Sequence, residues 1–262
     1  MSNASLHHSS EEHQTHNSHW PIVLAVGAGS IPAGIVLHVW GNKIGLGILI
    51  FGVVVTLGGL AGWAQALLKE KLNELDLVEK DKWLRNGMKL FLVSEAAIFG
   101  ALFAHHYYAK THFPVWPPEG APHLETRLPA IATFLLLSSS FTVQWAHSLF
   151  LKGKRVWCSR LVLLTIILGG IFLWMQGNEW GYLKAYDQFT IKSGTFGTSF
   201  FMMTGFHGLH VSTGLILLII VYVRLLLGHF QDKRHFAFVA ASWYWHFVDI
   251  VWIFLFGTIY LV

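Results

Sequence analysis

Charge is scarce in this sequence. Only 12% of its 262 residues are Asp, Glu, Lys or Arg, where a soluble domain carries roughly 25%. An ordinary water-soluble globule is therefore excluded. A dense basic face is missing too, because the formal charge is only +4 and is spread along the chain. That excludes nucleic acid as a partner. The single cysteine, Cys158, excludes an internal disulfide and any multi-cysteine metal site. There is no glycine-rich phosphate loop, nucleophile elbow or cysteine cluster. No residue is assigned a catalytic role and none a metal-ligand role.

What is present is apolar. Hydrophobic residues make up 54% of the chain, with 12 Trp and 20 Phe, which suits wide apolar surfaces and interfacial aromatic belts. A transmembrane helix needs about 20 mostly apolar residues. Such spans lie near 20–40, 44–68, 88–108, 129–151, 160–177, 195–227 and 236–261, so an all-α membrane protein of seven transmembrane helices is expected. The sixth span is too long to cross straight, and so tilts or projects into water. Residues 1–19 are polar and rich in histidine, with no Lys or Arg. They lack the basic start of a cleaved signal peptide and read as a mobile tail. Residues 20–68 form a two-helix unit, 69–87 a charged connector on the cytoplasmic side, and 88–262 a five-helix bundle.

Basic residues set the orientation. With the N-terminus inside, the inner segments hold Lys69, Lys71, Lys80, Lys82, Arg85, Lys89, Lys152, Lys154, Arg155, Arg160, Arg224, Lys233 and Arg234. The outer segments hold only Lys43, Lys110, Arg127, Lys184 and Lys192. The odd number of spans puts the C-terminus outside. No inverted repeat of the transporter kind is seen.

Ionisable groups inside a membrane are costly, so each is a functional candidate. Glu95 has no Lys or Arg within four residues of it. It must hold a proton, pair across helices or reach water. Its most natural partner is His210 in the sixth span. His207 and His210 are three apart, which puts both imidazoles near one face of a helix. Two satisfied core histidines, with Gly205, Gly208 and Gly214 allowing close packing, is one reading. A haem or metal site completed by His147 or His246 is another. His246 and Asp249 are also three apart, so one helical turn can pair imidazole with carboxylate. Trp116-Pro117-Pro118-Glu119-Gly120 reads as a rigid outer turn.

These motifs together resemble subunit III of the cytochrome c oxidases, in the haem–copper oxidase superfamily. The resemblance runs through Leu84-Arg85-Asn86-Gly87-Met88, Ser94-Glu95, Trp116-Pro117-Pro118 and Trp145-Ala146-His147. It is most specific at Phe206-His207-Gly208-Leu209-His210 and at Trp243-Tyr244-Trp245-His246-Phe247-Val248-Asp249. The resemblance implies seven helices, with helices one and two splayed from three to seven in a V and lipids filling the cleft. It implies bound phospholipids but no haem or copper on this chain, since those belong to partner subunits. It implies direct contact with subunit I, with subunit II in the same complex and cytochrome c as the donor. The role implied is to sustain proton uptake and to protect the catalytic subunit during aerobic respiration. The membrane it implies is a bacterial plasma membrane or a mitochondrial inner membrane.

By the same resemblance, Glu95 corresponds to a carbodiimide-reactive intramembrane glutamate. Arg224 and His229 correspond to positions that hold lipid phosphate, Lys69 to a basic position at the inner end of helix two with the same task, and Trp63 to an aromatic of that helix counted with them as lipid-binding. The family often has Trp-Trp-Arg-Asp where this chain has Trp63-Ala64-Gln65-Ala66. Two other classes compete with this reading: a b-haem electron-transfer protein using the buried histidines, and a proton-coupled transporter using Glu95.

Overall fold

The computed structural model describes residues 19–69, 74–122, 124–230 and 235–261. Among them are seven α-helices and no strands: α1 Trp20–Val39, α2 Ile44–Lys69, α3 Glu74–Lys110, α4 Arg127–Leu151, α5 Arg155–Tyr186, α6 Gly194–Leu226 and α7 Phe236–Ile259. All seven are long and apolar enough to cross a membrane. The protein is an integral, multi-pass membrane protein. Residues 1–18 of the histidine-rich tail expected over 1–19 lie outside the described residues, as do 70–73 of the expected connector.

Several helices outrun their apolar stretches. α3 begins at Glu74, inside the expected connector, and its charged first part is supported by an Asp81–Arg85 pair at 2.6 Å. Such an i,i+4 pair stabilises a helix in water, so the apolar boundary and the helical boundary need not coincide. α5 likewise runs from Arg155 to Tyr186, past both ends of the span expected over 160–177. α6 has 33 residues, about 50 Å at 1.5 Å per residue.

Two helix ends show how the chain turns. After α4, Gly153 adopts φ +72°. Its N–H donates to the Phe150 carbonyl, and that of Lys154 to Leu149. Gly228 does the same after α6 at φ +68°, with bonds to Leu225 and from His229 to Arg224. Both are Schellman caps, which need a residue free to enter the left-handed region.

The chain divides into two compact units, Met1–Glu74 and Leu75–Val262. In the first, α1 and α2 form a hairpin held by small residues. A Cβ at Gly27 would lie 2.7 Å from the Thr56 nitrogen, and one at Gly52 2.9 Å from the Gly27 carbonyl. Lipid tails are as apolar as leucine, so such helices associate through close backbone contact rather than through burial of apolar surface.

The second unit has a dense aromatic core of Phe150, Phe172, Phe200, Phe238, Trp245 and Trp252, all fully buried. Trp245 of α7 fits between two glycines, since a Cβ at Gly169 or Gly214 would come within 2.6 or 2.8 Å of its indole. Of the three glycines expected to admit close packing, only Gly214 has this role. Gly205 meets Trp180 at an ordinary 3.5 Å, and Gly208 faces open space. The Trp116 turn is anchored by its indole, which packs against His106, Phe113 and Phe196.

Candidate functional site: an intramembrane polar network

The second unit carries several polar side chains at membrane depth. Glu95 on α3 and His210 on α6 meet at 2.9 Å between Oε2 and Nε2. Both side chains are largely enclosed, at 16% and 13% exposure. Phe99 packs edge-on against the imidazole at 4.8 Å, and Tyr244 lies parallel to it at 6.3 Å. This is the partner expected for Glu95 from its own helix's lack of countercharge.

The hydrogen bonds around His210 also count protons. Its Nδ1 lies 2.7 Å from the Phe206 carbonyl, which can only accept, so Nδ1 carries a hydrogen. A neutral ring then has a lone pair on Nε2, and the carboxyl of Glu95 must donate to it. Otherwise Nε2 is protonated and the carboxylate accepts. In both arrangements one proton lies between the two groups and their net charge is zero. That arrangement suits a low-dielectric setting, where an unpaired charge is costly.

His207 behaves differently. It is fully buried, and neither ring nitrogen has a hydrogen-bond partner among the described residues. Its neighbours are the rings of Phe172 at 5.8 Å and Trp252 at 4.9 Å. The expectation that both histidines of this motif are satisfied holds for His210 and fails for His207. At three residues' spacing His210 turns to α3, whereas His207 turns into the aromatic core between α5 and α7. His147 lies elsewhere, against His235 and Phe238.

The expected direct pairing of His246 with Asp249 is corrected by the structure. Ser140 of α4 stands between them. Its hydroxyl donates to Asp249 Oδ2 and is 2.9 Å from His246 Nδ1. Both side chains reach from α7 toward α4, and a small hydroxyl there serves each of them. The other Asp249 oxygen, Oδ1, is buried without a partner among the described residues. The seam continues with Trp245 Nε1 donating to Ser139 at 2.8 Å and Trp252 Nε1 to Thr133 at 2.8 Å.

One half-buried carboxyl escapes the sequence reading. Glu179 Oε2 accepts from Tyr260 at 2.8 Å and from Gln176 at 2.8 Å. The apolar stretch expected to cross ends at 177, while the helix continues to Tyr186. The flanking Trp180 and Tyr182 are the kind of interfacial aromatics that mark such an end. His106 was also missed. It is buried, with Nδ1 2.7 Å from Ser199 Oγ.

The expected lipid-binding residues are divided between the two units. Arg224, in the last turn of α6, stacks its guanidinium on Phe230 at 4.7 Å. His229 is exposed just beyond it. Trp63 is exposed on α2. Lys69 closes α2, and its side chain lies outside the described residues. Among the described residues, no three His, Cys, Asp or Glu side chains converge to hold a metal ion.

Comparison with known proteins decides the family. The family model described as cytochrome c oxidase subunit III matches residues 10–262. The chain belongs to the cytochrome c oxidase subunit III family. It is 38% identical to cytochrome c oxidase subunit 3 of Mus musculus over 263 residues, covering 95% of this chain and 98% of the relative. The corresponding protein of Polypterus ornatipinnis is 38% identical over 261 residues, with the same coverage of both chains. That of Rattus norvegicus is 37% identical over 263 residues. The family match takes in both compact units, and with them Glu95, the His207–His210 motif and the α4–α7 seam.

Proposed function

We propose that this chain is the non-catalytic third subunit of a proton-pumping cytochrome c oxidase. In this reading it lies against subunit I, in one complex with subunit II, and cytochrome c donates electrons to that complex. The haems and copper belong to those partners. The chain sustains proton uptake and protects the catalytic subunit during aerobic respiration. The observation that carries this is the family match over nearly the whole chain. The packing of the buried histidines supports it, because His207 is enclosed by aromatic rings and His210 is already engaged by Glu95 and Phe206.

Phospholipids are the proposed ligands. The guanidinium of Arg224, held over the Phe230 ring, is suited to donate two hydrogen bonds to one phosphate. His229, Lys69 and Trp63 join it in this role. The excess of basic residues on one set of connecting segments supports an N-terminus on the cytoplasmic or matrix side of a bacterial plasma membrane or mitochondrial inner membrane. The test is to purify the tagged chain from its own membrane and identify its partners by mass spectrometry. Oxidase subunits I and II should be recovered with it. A chain that is purified without them, or that alone retains a haem Soret band, contradicts the proposal.

A further inference from the structure

Polar side chains on the outer surface of the second unit fall into two kinds. Ser94, Ser138 and Thr213 each donate back to a carbonyl of their own helix, at 2.7, 2.8 and 3.0 Å. They are satisfied internally and can face lipid. Gln144 is not. It is exposed on α4, seven residues before the end of the helix at Leu151, and so about 10 Å inside it. Its Oε1 is 3.3 Å from His246 Nε2, while its amide hydrogens have no partner among the described residues. Turning the amide over would leave the carbonyl and one hydrogen unpaired instead. Hydrocarbon offers no hydrogen bonds, so lipid tails are a poor match for this face.

The surroundings of Gln144 are large and apolar. Phe141 and Phe134 of α4 are 79% and 71% exposed, and Ile250 and Ile253 of α7 are 54% and 46% exposed. His246, Ile250 and Ile253 are spaced by four and three, and so share one stripe of α7. Hydrogen bonds from Trp245 to Ser139 and from Trp252 to Thr133, with the Ser140–His246 contact, hold the two helices side by side. The result is a polar spot among exposed apolar side chains, and a hydrogen bond across helices is one of the contacts by which membrane helices associate.

We infer that the α4–α7 seam centred on Gln144 and His246 docks a transmembrane helix of a partner subunit. That helix carries a hydrogen-bond acceptor, a hydroxyl or carboxamide oxygen, at the level of the Gln144 amide. The inference rests on the chain being an oxidase subunit and adds the face it uses.

The experiment uses the whole complex in its own membrane. A benzophenone amino acid replaces Phe141, Ile250 or, as a control, the exposed Ile216 of α6. After illumination, covalent products are identified by mass spectrometry. Positions 141 and 250 should join another oxidase subunit, and position 216 should not. Gln144→Leu should raise the fraction of chain lost from the complex in a detergent wash about threefold, the size of an average interhelical hydrogen bond, and Gln144→Asn should restore part of it. Thermal unfolding of the variants alone separates lost docking from lost folding. Products at 141 and 250 with phospholipid only, or with a second copy of this chain, overturn the inference, and so does subunit joining from 216 alone. If in those cases the unmodified chain still co-purifies with the oxidase subunits, the proposed function stands. If it co-purifies with none of them, that reading falls and the inference with it.

Discussion

The proton shared by Glu95 and His210 makes a prediction about three variants. Glu95→Gln keeps shape and places an N–H where the carboxyl hydrogen would be, facing the His210 Nε2 lone pair. Its cost should be under ~1 kcal/mol, since a hydrogen bond is exchanged for another. Glu95→Leu keeps the bulk but leaves Nε2 facing hydrocarbon, and an enclosed unsatisfied group costs about 1–3 kcal/mol. Glu95→Leu combined with His210→Leu removes both partners and should recover much of that loss. Thermal unfolding of the purified chain in detergent measures all three, and the double-mutant cycle isolates the coupling. A Gln variant as unstable as the Leu variant would refute the neutral arrangement, in which the Glu95 carboxyl donates to His210. That result would mean an imidazolium–carboxylate pair holds the helices, because losing one partner of a buried ion pair costs about 3–5 kcal/mol. A hydrophobic carbodiimide should label the wild type and not Glu95→Gln.

Three further outcomes follow from the geometry. His207→Leu should leave the melting temperature unchanged or raise it, because it removes two unpartnered ring nitrogens from an aromatic pocket; a loss above about 2 kcal/mol would point to a hydrogen bond not seen around this ring. Ser140→Ala removes the hydroxyl that touches both His246 and Asp249, and should cost about 1–3 kcal/mol in the same assay, while an unchanged melting temperature would show that the bridge contributes nothing. Arg224→Ala should reduce the phospholipid that stays with the purified chain, read by phosphate analysis, and equal retention would reduce Arg224 to an orientation signal.

Much of this architecture was legible because a bilayer leaves few choices. Runs of about 20 apolar residues have to cross it as helices, so seven spans could be counted directly. Glu95 was legible for a related reason: with no base on its own helix, its partner had to come from another, and His210 lay at similar depth. The charged ends of α3 and α5 were not legible, because hydropathy marks where a helix is apolar and not where it stops. Glu179 was lost to that same boundary. The Ser140 bridge was hidden by distance, 106 residues before His246 in the chain. The unpaired state of His207 was hidden because spacing puts two histidines near one face without saying which neighbouring helix each will meet.

The central claim is that this chain acts by contact and carries no redox centre. Oxygen consumption followed over many turnovers, by oxidase with and without this chain, tests it most directly when the haem spectrum is recorded at the start. The account predicts a normal initial spectrum and a nearly normal initial rate, followed by slower proton delivery and a shortened active lifetime in the depleted enzyme. Loss of haem signal at the first time point would contradict it, because the chain would then be supplying ligands.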